Sequence, residues 1–245
     1  MQLKEIGARP LPMCRSAYEG TVWSQADRAM YGVKERKTMS LRKKVALSRE
    51  YFNMISDQYD DAYHLKRGSM NSSYDDIILY VRRKAATSIL DVGCGTGELL
   101  RILSEIVPDA QLYGLDISEK MLEIAEKKLA GRARFILGDS STIPLKPESC
   151  DVVCCNHSFH HYPKPLQVLE EFRRVLKADG ILLIGENHLP LFERVKRNVY
   201  YALKGPCGDV KVYSEKEICR MLSRYFKDVQ YKLLGEDCCL ISAKK

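Results

Sequence analysis

The run SILDVGCGTGELL, residues 88–100, constrains the fold of this chain more than any other stretch. It opens like the end of a buried strand, loses its side chains at glycines 93, 95 and 97, and resumes as an apolar helical pattern. A backbone bared in this way at the entrance to a helix suits close contact with a ligand. Strand, glycine turn and helix in that order also point to a sheet covered by helices.

The pattern beyond residue 87 extends that reading. Apolar, β-branched or thiol-bearing runs at 88–94, 111–117, 133–139, 150–158 and 180–186 read as strands covered on two faces. Between them, residues 97–107 and 165–176 have helical spacing, and so does SEKMLEIAEKKLAG, with Ser118 as N-cap and Gly131 as its stop. Helix SEKEICRMLSRYF begins at Ser214, and residues 228–244 form two strands joined through 235–237, an antiparallel hairpin at the sheet edge. The expectation is an α/β fold with a mostly parallel seven-stranded sheet. Residues 41–84 read as helices preceding it, carrying tyrosines at 51, 59, 63, 74 and 80.

Composition narrows the partners. The formal charge is +7, but eleven of the 39 Lys and Arg and five of the 32 Asp and Glu fall in the first 50 residues, leaving 28 against 27 after them. The main body is near neutral, and the basic segment lacks the interleaved aromatics that stack on bases, so nucleic acid is not the expected partner. Nine cysteines without a C-x-x-C pair, and a start MQLKEIGARP without an apolar core, predict free buried thiols, a reducing cytoplasmic compartment and no metal. No apolar run approaches the roughly 20 residues of a membrane span.

In an open parallel sheet the ligand lies beyond the carboxyl ends of the strands. Gly93, Gly95 and Gly97 follow the first strand, Asp116 ends the second, Asp139 the third, and Asn156 and His157 the fourth. A dinucleotide fingerprint would need glycine at the sixth position from Gly93, where Glu98 stands, and a carboxylate there repels a pyrophosphate. The loop therefore fits an adenosine without phosphates better than NAD.

Four segments in order, LDVGCGTGELL, YGLDIS, GDSSTIPLKPESCDVV and HHYPKPLQVLEEFRRVLKADGILLIGE, resemble the successive motifs of class I S-adenosylmethionine-dependent methyltransferases, nearest to the ubiquinone and menaquinone biosynthesis group. The resemblance covers residues 49–186 and implies a Rossmann-like doubly wound fold over 41–245. KADG departs from the family's Lys-Pro-Gly-Gly and alters only a turn. The resemblance implies that Asp91, Gly93, Cys94 and Gly95 surround the methionyl part, Gly97 completes the loop, Asp116 accepts from both ribose hydroxyls, and Ile117 and Met121 lie beside the adenine. Asp139 would take the adenine amino group with Ser140 next to it, Asn156 and His157 would face the sulfonium, and Tyr51 and Tyr59 would close the lid formed by residues 41–84. Asp91 can equally cap the loop amides, Asp139 can be a turn residue, and the tyrosines can be core.

What the resemblance implies chemically is an in-line methyl transfer to a small-molecule acceptor, with S-adenosylhomocysteine as product. Exclusion of water and alignment carry most of such a step. A base is required only where the acceptor must lose a proton; histidines 157, 160, 161 and 188 fall at strand ends, and His157 is the first candidate. Residues 187–212, with Phe192, Tyr200, Tyr201 and Cys207, are the expected cap over the acceptor. The competing reading is a fold of this type that binds the cofactor without turnover, as a regulatory module. Residues 22–37 resemble the closing helix of diguanylate cyclase domains, without the rest of such a cyclase, so residues 1–40 read as a remnant appendage.

Overall fold

The computed structural model describes residues 40–64, 72–205 and 207–245, so the expectations for the appendage lie outside the described residues save for Ser40. Two helices come first, α1 (Leu41–His64) and α2 (Ser72–Lys84). Then follow β1 (Ser88–Val92), α3 (Glu98–Ile106), β2 (Gln111–Asp116), α4 (Glu119–Leu129), β3 (Arg134–Leu137) and β4 (Cys150–Asn156). The remainder is α5 (Pro165–Val175), β5 (Leu176–Asn187), α6 (Leu191–Leu203), α7 (Glu215–Leu222), β6 (Lys227–Leu234) and β7 (Cys238–Lys244).

The seven strands form one sheet in the order β3-β2-β1-β4-β5-β7-β6. β1 pairs in parallel with β2 on one side and β4 on the other, so the chain winds outward to β3 and then returns across β1. That reversal opens a crevice at the carboxyl ends of β1, β2 and β4, where ligands of doubly wound sheets bind.

Alternation along the central strands sends side chains to two separate cores. Leu90, Val153, Cys155, Leu182 and Ile184 pack against Leu169 and Phe172 of α5 and Leu222 of α7. On the opposite face, Ile89, Val152, Cys154 and Leu183 pack against Ile77 and Val81 of α2 and Leu100 and Leu103 of α3. Fully burying side chains of this size contributes about 2 kcal/mol each. The adjacent thiols Cys154 and Cys155 thus belong to different cores, and burial raises the pKa of both far above the usual thiol range. All eight cysteines among the described residues are free.

Helix ends follow the local chemistry. Ser118 accepts a hydrogen bond from the Met121 amide at 3.1 Å, and Ala130 and Gly131, both at positive φ, stop α4. Ser214 and Glu217 form a reciprocal capping box on α7. One expectation needs correction. The fifth strand starts at Leu176, not near residue 180, because Leu176 pairs with Cys150 across a register break. The antiparallel hairpin lies at the sheet edge as expected: β7 pairs with β5 on its inner side, and β6 is the border strand. Burial explains the order, since β7 is buried at every residue but the last, whereas β6 is mostly exposed or half-buried.

Candidate functional site

The crevice is a cavity whose floor is the glycine turn. The amides of Gly93 and Cys94 both donate to the Leu115 carbonyl, at 2.7 and 3.1 Å, and the Gly95 amide donates to Asp116 Oδ2 at 2.9 Å. The other oxygen of Asp116 accepts from the Ser118 amide at 2.9 Å. One carboxylate at the end of β2 therefore holds the turn after β1 and the start of α4, and it still faces the cavity. Burial raises its pKa, against the pull of the amides of Ser118, Gly95 and Ile117.

Gly93 has φ +76°, and a Cβ built on it would come within 2.0 Å of Ser158 Oγ. Only glycine permits that approach of the β1 turn to the β4 turn. Gly97 has another reason to be glycine: at φ +76° a Cβ would stand 3.0 Å from both Ala125 and Leu129 of α4, so it serves helix packing and not the cavity.

Each neighbouring element contributes to the walls. Ile117 and Met121 come from the β2–α4 junction, Gly138, Asp139 and Ser140 follow β3, and Asn156, His157, Ser158, His161 and Tyr162 follow β4. Asp139 Oδ1 accepts from the Ser141 amide at 2.8 Å, the turn role weighed for it, while the residue also lines the cavity. Asn156 Oδ1 accepts from Ser73 Oγ at 2.6 Å. His157 is left-handed at φ 49°, its amide donating to the Gly185 carbonyl at 2.8 Å. Strain of that kind in a non-glycine residue gathers at functional sites.

Helix α1 crosses the cavity and lines it with Val45, Ser48, Phe52 and Tyr59. Two polar clusters hold it. Arg49 pairs with Glu119, and Asn53 Oδ1 accepts from Ser118 Oγ at 2.7 Å. Further along, Asp60 accepts from Thr96 Oγ1 at 2.6 Å and pairs with Lys128 at 2.8 Å. Lys128 also pairs with Glu98 at 3.3 Å. Burial works against the Glu98 charge, but Arg101 and Lys128 hold its carboxyl below the usual range. Glu98 thus stands at the start of α3 as an anion matched by two cations, outside the lining of the cavity.

Four expected site residues do not line the cavity. Tyr51 packs edge-on against Phe52, which takes the lining position. Cys94 is buried with its Sγ towards Gly114, and Gly97 packs on α4 as described. Asp91 is 3 % exposed, its Oδ1 has no hydrogen-bond partner, and burial, then the nearby Asp116 charge, pushes its pKa up to about 7. The amides of Gly93, Cys94 and Gly95 go to Leu115 and Asp116 and not to Asp91. The described residues of 187–212 contribute no lining side chain. Of the histidines read at strand ends, His188 bonds Tyr231 at 2.8 Å away from the cavity, and His160 is buried against Glu186. Sequence reasoning missed Val45, Ser48, Phe52 and Tyr162; for α1 the signal was the helical spacing of 45, 48, 52 and 59 along one face.

Comparison with known proteins agrees with this geometry. Residues 90–184 match the family described as Methyltransferase domain. A demethylmenaquinone methyltransferase of Lactococcus lactis subsp. lactis is 35% identical over 184 residues, covering 69% of this chain and 70% of that protein. The chain belongs to the class I S-adenosylmethionine-dependent methyltransferases. A demethylmenaquinone methyltransferase of Thermotoga maritima is 34% identical over 153 residues, which are 61% of this chain and 65% of that protein's length. The crystal structure of the 1,6-didemethyltoxoflavin-N1-methyltransferase of Burkholderia thailandensis superposes with a TM-score of 0.65 at 16% identity, covering 86% of this chain and 93% of that one, and shows a shared fold. Among the described residues, no helix is long and apolar enough to cross a membrane.

Proposed function

We propose that the chain binds S-adenosylmethionine in the crevice and directs its methyl group, by in-line displacement, onto a small-molecule acceptor, releasing S-adenosylhomocysteine. The observation that carries this reading is Asp116: a buried carboxylate whose two oxygens each hold one loop amide and which also faces the cavity, where a ribose diol would find a strong acceptor.

Bound there, the cofactor supplies an electrophilic methyl on a sulfonium. The glycine turn gives it room, since a Cβ at Gly93 would close the gap to Ser158. Ile117 and Met121 offer apolar surface to the adenine, with Asp139 and Ser140 at its polar edge. The unpartnered Oδ1 of Asp91, buried and outside the cavity lining, is the proposed acceptor for the methionyl ammonium. Helix α1, latched at both Glu119 and Asp60, excludes water from the cavity. The Cys207 carbonyl accepts from Ser48 Oγ at 2.9 Å, so residues 187–212 support the cavity face of α1 and are proposed to meet the acceptor from that side. For an acceptor that must lose a proton, His157 is the proposed base. The relatives named demethylmenaquinone methyltransferases make demethylmenaquinone the first acceptor to try.

Calorimetric titration of cofactor-stripped protein with S-adenosylmethionine, S-adenosylhomocysteine and NADH tests the reading. Binding of the two adenosyl sulfur compounds without NADH is expected, while tight NADH binding or no binding refutes it. Methylation of an acceptor supports the enzyme; binding without turnover across a broad acceptor panel would favour the regulatory reading. With an acceptor in hand, His157→Ala should cut turnover at least tenfold and leave S-adenosylhomocysteine affinity within twofold; unchanged turnover removes the base assignment.

A further inference from the structure

His160 and His161 leave β4 in a single 3₁₀ turn, and Asp209 reaches them from a segment 48 residues beyond His161. The amides of Val210 and Lys211 both donate to the His160 carbonyl, at 2.8 and 3.2 Å, and fix Asp209 beside the pair. On its other side Gly208, at φ +74°, presses against α1, where a Cβ would meet Ser48 Oγ at 2.3 Å. Three potential ligand atoms of His160, His161 and Asp209 lie within 4.8 Å of one another. Asp209 is 1 % exposed.

The pairing of Asp209 and His161 is incomplete. Asp209 Oδ1 and His161 Nδ1 are buried without a hydrogen-bond partner, 3.5 Å apart, and His160 Nε2 is 3.7 Å from the same oxygen. Leaving a carboxylate oxygen and an imidazole nitrogen buried and unpaired is costly. Lys44 does not supply the missing partner, because its Nζ donates to the Asp209 main-chain carbonyl at 3.2 Å. Meanwhile His160 Nδ1 faces both oxygens of Glu186, at 3.0 and 2.9 Å. That carboxylate keeps the proton on Nδ1 and leaves the Nε2 lone pair turned to Asp209, the arrangement by which an outer carboxylate orients a metal-binding histidine.

We propose that His160, His161 and Asp209 bind a divalent transition metal ion of the Zn²⁺ class. Two imidazoles and one carboxylate suit such an ion, and bond lengths of about 2.0–2.2 Å around a tetrahedral centre place donor atoms roughly 3.4 Å apart. The two distances to Asp209 Oδ1, 3.5 and 3.7 Å, lie within a few tenths of an ångström of that spacing, and the two histidine donors, within 4.8 Å of each other, would close on the ion. Three protein ligands leave a position for water or another oxygen. His161 also lines the cavity, so the ion would sit in its wall. The cysteine spacing gave no hint of this site, because it is built without thiols from positions far apart in the chain. The inference does not rest on the methyl-transfer reading.

The test uses the full chain, stripped by chelator and then titrated with ZnCl₂ and, separately, with CoCl₂. One Zn²⁺ per chain, retained through gel filtration at micromolar protein, is expected, with a cobalt spectrum lacking a thiolate-to-metal charge-transfer band. Asp209→Asn should weaken Zn²⁺ binding at least tenfold with circular dichroism unchanged. If that variant fails to fold, Glu186→Gln serves instead, with an expected 10- to 100-fold loss. A stripped wild-type chain that takes up no Zn²⁺, a folded Asp209→Asn chain that binds as tightly as wild type, or a thiolate band in the cobalt spectrum overturns the proposal.

Discussion

Asp116→Ala is expected to weaken S-adenosylmethionine binding by about a hundredfold or more. Hydrogen bonds to a charged acceptor contribute roughly 1.5–3 kcal/mol each, and two ribose hydroxyls would lose theirs together. The same truncation leaves the Gly95 and Ser118 amides, now 2.9 Å from the carboxylate oxygens, without those acceptors. The turn therefore loosens as well, at a stability cost of roughly 1–3 kcal/mol per orphaned amide. Calorimetry gives the affinity and chemical denaturation gives the stability. Asp116→Asn separates the two effects, since its single carbonyl oxygen can keep one amide but not the full acceptor set; it should fold better than the alanine variant and still bind at least tenfold more weakly than wild type. Affinity within twofold of wild type in a folded Asp116→Ala chain would remove the diol assignment.

Much of this site was legible because its signals are local. A strand that ends in three glycines, an acid at the end of the next strand and a serine cap on α4 are each set by neighbours within a few residues, and the crevice at the strand ends follows from parallel pairing. Contacts between distant segments were not legible. Nothing in residues 228–244 states that β7 slips between β5 and β6, since hairpin pairing is local and pairing with β5 is a matter of which strand can be buried on both faces. The rotation of α1 was hidden too: its tyrosines drew notice, but Phe52 fills the position beside the cavity and Tyr51 packs against it. Asp209 escaped for the same reason, as a lone acid whose meaning depends on the histidines it meets. The glycines show both sides of the problem. All three were read as ligand-facing, and Gly93 and Gly95 do line the cavity, but the space around a Cβ shows that Gly97 answers to α4.

Asp91→Asn is expected to remove a loss of stability that wild type suffers between about pH 4 and pH 7. In the unfolded chain Asp91 ionises near its ordinary value of 3.8, while burial and then the Asp116 charge hold it protonated in the folded protein to about 7. A raised carboxyl pKa means that the folded state keeps a proton the unfolded state has released. Its contribution is therefore intact below pH 4, declines as pH rises through the window, and levels off above pH 7. The difference of about three units corresponds to about 4 kcal/mol at about 1.4 kcal/mol per unit. Glu217 titrates in a lower window: burial opposes its charge, but Lys211 and Ser214 bring its pKa down to about 2, so it stabilises the fold as pH rises towards 4.5 and does not mask the slope above. Denaturant unfolding at several pH values should show wild-type stability falling relative to Asp91→Asn between pH 4 and pH 7, on top of a rise up to about pH 6.5 that the buried His161 imidazole, its pKa lowered to about 4, adds to both proteins. The comparison is one of slopes, so any constant cost of the buried amide drops out. Binding reads the same proton. If the methionyl ammonium settles against Oδ1, it holds Asp91 ionised, and titrations near pH 6 in buffers of different ionisation enthalpy should reveal up to one proton released per ligand bound. The release should vanish above pH 8 and be missing from Asp91→Asn. Equal slopes in the two proteins would mean that Asp91 is not protonated in the folded chain, and ligand binding without proton release would place the ammonium elsewhere.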